Sequence, residues 1–94
     1  MKTKTKTKLP KWFLDGEPVI YNEGTLVQNP FSGECYTLNG DELSMYDYIM
    51  GLQWTIDKLG GVFDRRTFEH QKQLARGLSW FRTHNAEAYM VLLD

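Results

Sequence analysis

Cys35, His70, His84 and the carboxylates Asp47, Asp57 and Asp64 are the side chains of this chain whose types could carry chemistry. A cysteine nucleophile needs a histidine base within hydrogen-bond reach. His70 and His84 lie far from Cys35 in sequence, and no motif joins them. Cys35 therefore reads as a small, half-buried strand residue. As the single cysteine it can form no internal disulfide and no thiolate metal cluster, and it suits a reducing compartment. The acids form no convincing catalytic pair, because helix and loop separate Asp47, Asp57 and Asp64. The histidines lack His-x-x-x-His spacing, and no run of alternating oxygen ligands ends in glutamate. Gly60-Gly61 lacks the Lys-Ser or Lys-Thr of a phosphate loop, and no Gly-x-Ser-x-Gly elbow occurs. No catalytic residue, metal ligand or cofactor is assigned. An enzymatic site between subunits, around Cys35, Asp47 or His70, has no motif behind it.

Binding chemistry has more candidates. Tyr46-Asp47-Tyr48 places a carboxylate beside a largely apolar helix face, where it is either bonded to a tyrosine hydroxyl or, as the simpler reading, solvated. Phe31 sits at a turn tip, and the expectation is that it folds back over a sheet edge instead of standing out as a contact residue. Trp80 and Phe81 adjoin, so one should pack inward and the other lie near the rim. Phe31, Tyr46, Asp47, Tyr48 and Trp80 are the candidates for a protein-binding surface. A nucleic-acid reading uses Lys2, Lys4, Lys6 and Lys8 of the N-terminal arm with Arg65, Arg66 and Arg76 of a later helix. Against it, an ordinary salt-bridged helix surface explains the arginines.

Ninety-four residues make one small domain, which buries about 60–65% of its unfolded surface. Thirteen aromatic residues add apolar area to that small core. Residues 1–11 carry five lysines and no acid; the rest carries six basic and twelve acidic side chains. A cationic arm thus precedes an anionic domain. The Lys-Thr repeat of residues 1–9 has nothing apolar to bury and reads as a flexible arm, with residues 10–94 as one α+β domain. No segment has the roughly 18 consecutive apolar residues of a membrane helix, and no apolar run follows the basic N-terminus, so neither membrane nor secretion is expected.

The elements that must position these residues are legible in turn. Asp15-Gly16 between Lys11–Leu14 and Glu17–Tyr21 reads as a two-residue hairpin, with Pro18 at an edge. Thr25–Gln28 and Glu34–Leu38 read as strands around Asn29-Pro30-Phe31-Ser32-Gly33, where Asn29 bonds back to the backbone and Gly33 takes the left-handed conformation. Alternation puts Cys35 and Thr37 on one face, Tyr36 and Leu38 on the other. Asn39 with Glu42 spells a capping box, and a helix should run to Leu59 and stop at Gly60-Gly61. Its apolar positions form two rows, Met45-Ile49-Leu52-Ile56-Leu59 and Leu43-Tyr46-Met50-Trp54. The second row needs another helix or another subunit. Asp64 reads as the next N-cap, with Phe63 and Phe68 as a hydrophobic staple and Phe68, Leu74, Ala75, Leu78 and Phe81 buried. Gly77 in mid-helix should allow close packing on the first helix. Asn85 caps a short terminal helix, Ala86 to Leu93, expected to dock on the domain.

Asn29-Pro-Phe-Ser-Gly-Glu34, Tyr46-Asp-Tyr-Ile-Met-Gly51, Gly77-Leu-Ser-Trp-Phe-Arg82 and Ala88-Tyr-Met-Val-Leu-Leu-Asp94 together resemble small uncharacterised proteins of marine tailed phages and ocean metagenomes. The resemblance covers residues 17–94 and omits the arm. It implies a phage-like origin and a cytoplasmic setting in a bacterial host, and it brings no activity and no catalytic residues.

The expected fold is therefore α+β: a small antiparallel meander of three to four strands, then two long helices and a short C-terminal helix. The expected protein is a homo-oligomer, a dimer by preference, that acts as a non-enzymatic interaction or accessory protein toward a protein partner still to be identified.

Overall fold

A computed structural model describes residues 9–93. The Lys-Thr arm, with Lys2, Lys4, Lys6 and Lys8, lies outside the described residues. The elements are α1 (Lys11–Leu14), β1 (Thr25–Gln28), β2 (Cys35–Leu38), α2 (Gly40–Lys58), a 3-10 turn (Arg65–Thr67), α3 (Phe68–His84) and α4 (Ala86–Leu92). The class is α+β, as expected. The sheet is smaller than expected: β1 and β2 pair antiparallel, with Val27 opposite Tyr36 and Thr25 opposite Leu38, and no third strand joins them among the described residues.

The missing hairpin has a packing reason. A strand would send Trp12 and Phe13 to opposite faces. In α1 both rings instead reach Tyr48 of α2, Phe13 edge-on at 4.9 Å and Trp12 tilted at 6.3 Å between centroids. Phe13 is thereby buried in the core. Lys11 and Asp15 pair across one helical turn at 3.2 Å, and Asp15 keeps a right-handed helical φ of −62°, where a type I′ turn needs a positive one. The positive φ falls on Glu17 instead, at 53°.

The helical half follows its local signals. Asn39 and Glu42 form the full capping box at the start of α2. Met45, Ile49, Leu52 and Ile56 are buried along one face of α2, and Met45 and Ile49 meet Gly77 of α3. A Cβ on Gly77 would stand 3.0 Å from Ile49 Cγ1 and 3.5 Å from Met45 Sδ, so this glycine sets the closest approach of the two helices. The α3 face is rotated from the expected one: Gly77, Trp80 and Phe81 are buried, Leu74 and Leu78 half-buried, and Phe68 and Ala75 exposed. Asp64 caps the 3-10 turn, not α3 itself, accepting from the Arg66 N–H. The Phe63–Phe68 staple does not form a buried contact, since Phe63 is 95% exposed.

α4 docks on the core through Ala88 and Leu92. Its N-cap Asn85 also donates to Glu42 Oε2 at 3.0 Å, while Glu42 Oε1 accepts from the Asn39 N–H. One glutamate thus joins the first turns of α2 and α4. Tyr36 of β2 donates to Glu87 of α4 at 2.9 Å, tying the sheet to the same end. The segment before β1 closes onto the β2–α2 junction because Gly24 faces Leu38 and Asn39, and Gly40 faces Tyr21 and Asn22, with no room for a Cβ at either.

Candidate functional site

Tyr48 lies at the junction of two concave surfaces. Two open depressions share Tyr48 and Pro18 as a common ridge. The first, about 320 Å³, lies between Pro18-Val19 and the Ser44, Asp47, Gly51 and Thr55 side of α2. The second, about 420 Å³, lies between α1 and α3 and is walled by Trp12, Tyr48, Gln73 and Arg76. Ser44 fixes the ridge: it accepts from the Tyr21 N–H at 2.8 Å and donates to the Gly40 carbonyl at 2.8 Å, holding residues 18–21 against α2. Tyr48 donates to Gln73 Oε1 at 3.2 Å, and the Arg76 guanidinium lies over the Trp12 ring at 5.6 Å. Burial raises the Tyr48 phenol above its ordinary pKa of 10, and the Arg76 charge opposes that shift. Burial alone raises Tyr46, which packs half-buried against the core.

The candidate triplet is therefore split. Tyr46 belongs to the core margin, while Asp47 and Tyr48 line depressions. Asp47 is exposed, as the solvated reading has it. Trp80 is 9% exposed and Phe81 is fully buried, so both pack inward, which corrects the expectation that one would lie at the rim. Trp80 stacks on His84 at 4.3 Å, and His84 Nδ1 donates to the Trp80 carbonyl at 2.9 Å. The imidazole covers one face of Trp80 while His84 itself stays exposed.

Phe31 is 97% exposed, against the expectation that it folds back. Its turn is held from beneath by Asn29, which is buried. Asn29 Oδ1 accepts from the Phe31 N–H at 2.8 Å, and Asn29 Nδ2 donates to the Val91 carbonyl of α4 at 2.9 Å. The Asn29 N–H donates to the Glu34 carbonyl, and the Gly33 N–H to the Asn29 carbonyl, with Gly33 at φ 81°. The polar half of the turn is consumed by these bonds, and the ring is left in water. Cys35, just beyond, is exposed on the uncovered sheet face, which corrects the half-buried expectation. Its face assignment with Thr37 holds, opposite half-buried Tyr36 and buried Leu38.

The arginines separate as well. Arg66 is spent on structure: it pairs with Asp64 at 2.8 Å and donates to the Leu59 carbonyl at the end of α2 at 2.7 Å. The Arg66 side chain, and after it the Arg66 backbone N–H, donate to Asp64 and hold its carboxyl down at about 2. Arg65 is exposed on the 3-10 turn. Arg76 lines the larger of the two depressions. His70 is half-buried in the first turns of α3, with a shielded Nδ1 that has no hydrogen-bond partner among the described residues.

Sequence reasoning did not single out two groups that the structure exposes. Trp12 and Gln73 wall the larger depression; the hairpin reading concealed Trp12, and only a helical α1 brings it to Tyr48 and Arg76. Trp54, Val62, Phe63 and Phe68 are exposed large apolar residues at the α2–α3 end of the molecule. The second apolar row on the first helix was the signal for Trp54. Leu43 and Tyr46 of that row pack against the core, and Trp54 remains 64% exposed with Lys58 over its ring at 5.3 Å.

Among the described residues, no group of three or more His, Cys, Asp or Glu side chains could hold a metal ion, and no helix is long and apolar enough to cross a membrane. No protein-family model matches the chain, and neither a curated protein nor a solved structure matches it.

Proposed function

We propose that this chain is a small non-enzymatic interaction protein, an accessory factor of phage origin working in the cytoplasm of a bacterial host. One observation carries the reading: Phe31 stands 97% exposed on a turn whose polar groups are bonded beneath it. A large aromatic ring on a rigid turn adds nothing to this fold's core. It offers a partner an anchor whose ordering cost is already met by the turn. The resemblance to small proteins of marine tailed phages supports the cellular setting.

The protein acts as a homodimer in this reading. Trp54 and Phe63, exposed at the α2–α3 end, supply the self-contact and leave Phe31 free for the partner. Light scattering at tens of micromolar tests the dimer. The expected mass is twice that of the chain, falling to the monomer in a Trp54→Ser, Phe63→Ser variant with an unchanged circular dichroism spectrum. A wild-type monomer at that concentration would refute the oligomeric part.

A further inference from the structure

We infer that the depression between α1 and α3 is a binding site for single-stranded nucleic acid, with Trp12 and Tyr48 as its stacking wall and Arg76 and Gln73 as its polar contacts. The surface shares no residue with the Phe31 turn, so the inference stands independently of the protein-interaction reading.

Charge is the first argument. Arg76 is the one charged residue lining this depression. Other cations nearby are engaged: Lys11 with Asp15 at 3.2 Å, and Lys72 with Glu69 at 3.3 Å. Arg76 has no carboxylate partner among the described residues and rests on the Trp12 ring. A guanidinium placed over an aromatic ring with no carboxylate partner still has N–H groups to offer phosphate oxygens. An anion is therefore the charge complement of this cavity, even though the domain as a whole is acidic.

Donor count and shape narrow the anion. Gln73 spends its Oε1 on the Tyr48 hydroxyl at 3.2 Å, which leaves its two N–H groups without a partner among the described residues. The polar edge is thus rich in donors and poor in acceptors. The rest of the wall is aromatic and largely apolar: Trp12, Tyr48 and Pro18 beside buried Phe13. Trp12 and Tyr48 already touch, at 6.3 Å between centroids with their planes inclined at 53°, so a base would stack on one of the two rings and not between them. A nucleobase with its phosphate uses both halves of this surface. A glutamate side chain would satisfy Arg76 and leave the aromatic wall unused. The bases of a duplex are stacked on one another and unavailable, which selects the single strand. The wall begins at Trp12, directly after the lysine-rich N-terminal sequence, whose charges add sequence-independent attraction for the same polyanion.

Fluorescence anisotropy of a labelled oligo-dT of about twelve nucleotides, titrated with the full chain across a salt series, tests the inference. The expected dissociation constant at low salt is micromolar, on the order of 10⁻⁶–10⁻⁵ M. Arg76→Gln should weaken binding about 5- to 10-fold and lower the salt slope by about 0.7. Gln73→Ala, an independent surface change, should weaken it about 3-fold without altering the slope. Replacing Lys2, Lys4, Lys6 and Lys8 together by Gln should lower the slope by about 3 and leave the Arg76→Gln effect in place. Three results overturn the inference: no binding at about 100 µM protein, affinity indifferent to both Arg76→Gln and Gln73→Ala, or equal affinity for a polyglutamate of matched charge.

Discussion

Gly77 and Gly51 are both mid-helix glycines, and the same substitution is expected to move stability in opposite directions at the two sites. In isolation, Gly→Ala in a helix interior gains about 1 kcal/mol of helix propensity. At Gly51 nothing stands within 4 Å of an added Cβ, so the full gain should appear. At Gly77 the added carbon meets Ile49 Cγ1 at 3.0 Å, Ile49 Cδ1 at 3.4 Å and Met45 Sδ at 3.5 Å. Both neighbours are fully buried and cannot swing into solvent. Forcing an extra carbon into such a seam costs about 1–3 kcal/mol. The net for Gly77→Ala is a loss of about 1 kcal/mol, and the two variants should differ by about 2 kcal/mol. Urea denaturation followed by circular dichroism reads both, and the melting temperatures should split to either side of wild type by about 4–8 °C each. If both variants gained about 1 kcal/mol, the close α2–α3 contact would be wrong, and with it the placement of α3 beside Tyr48.

Two further outcomes follow from the polar junctions. Glu42→Ala removes the capping box of α2 and the bond to the α4 cap together, at an expected cost of about 1–2 kcal/mol. A double-mutant cycle with Asn85→Ala should show a coupling of about 0.5–1 kcal/mol, and strict additivity would deny the link between the two helix ends. Asp64 has a folded-state pKa of about 2, below its ordinary 3.8, so its carboxylate stabilises the fold above that ordinary value and loses the effect as pH falls through about 2. Wild type should therefore be more stable than Asp64→Asn at pH 5 and above, with the gap closing between about pH 4 and pH 2. A gap that is constant across this range would show that the Arg66 pair contributes nothing as a charge.

The helices were legible because their signals are local. Asn39 with Glu42 starts α2, Gly60-Gly61 ends its run, and Asn85 starts α4, each through backbone groups that must be bonded within a turn. The same holds for the Asn29–Gly33 turn, where Asn29 and Gly33 do what their types require. Residues 11–21 were misread because their outcome is tertiary. Asp15-Gly16 is a genuine hairpin signal, but the burial of two adjacent rings on Tyr48 outweighs it. Phe31 was misjudged because its exposure depends on what Asn29 bonds to, and the Val91 carbonyl is 62 residues away. The larger depression was illegible for the same reason: its wall combines α1, α2 and α3, and one member, Trp12, had been placed on a strand.

The claim that Phe31 is a partner-facing anchor is tested most directly by photo-crosslinking. A benzophenone-bearing phenylalanine at position 31 of the full chain, irradiated in bacterial host cells, should give one discrete adduct of higher mass. The same residue at Asp57, also exposed, should give none. Phe31→Ser should leave the unfolding midpoint unchanged, which would separate contact from folding. An adduct pattern at position 31 no different from that at position 57 would contradict the account.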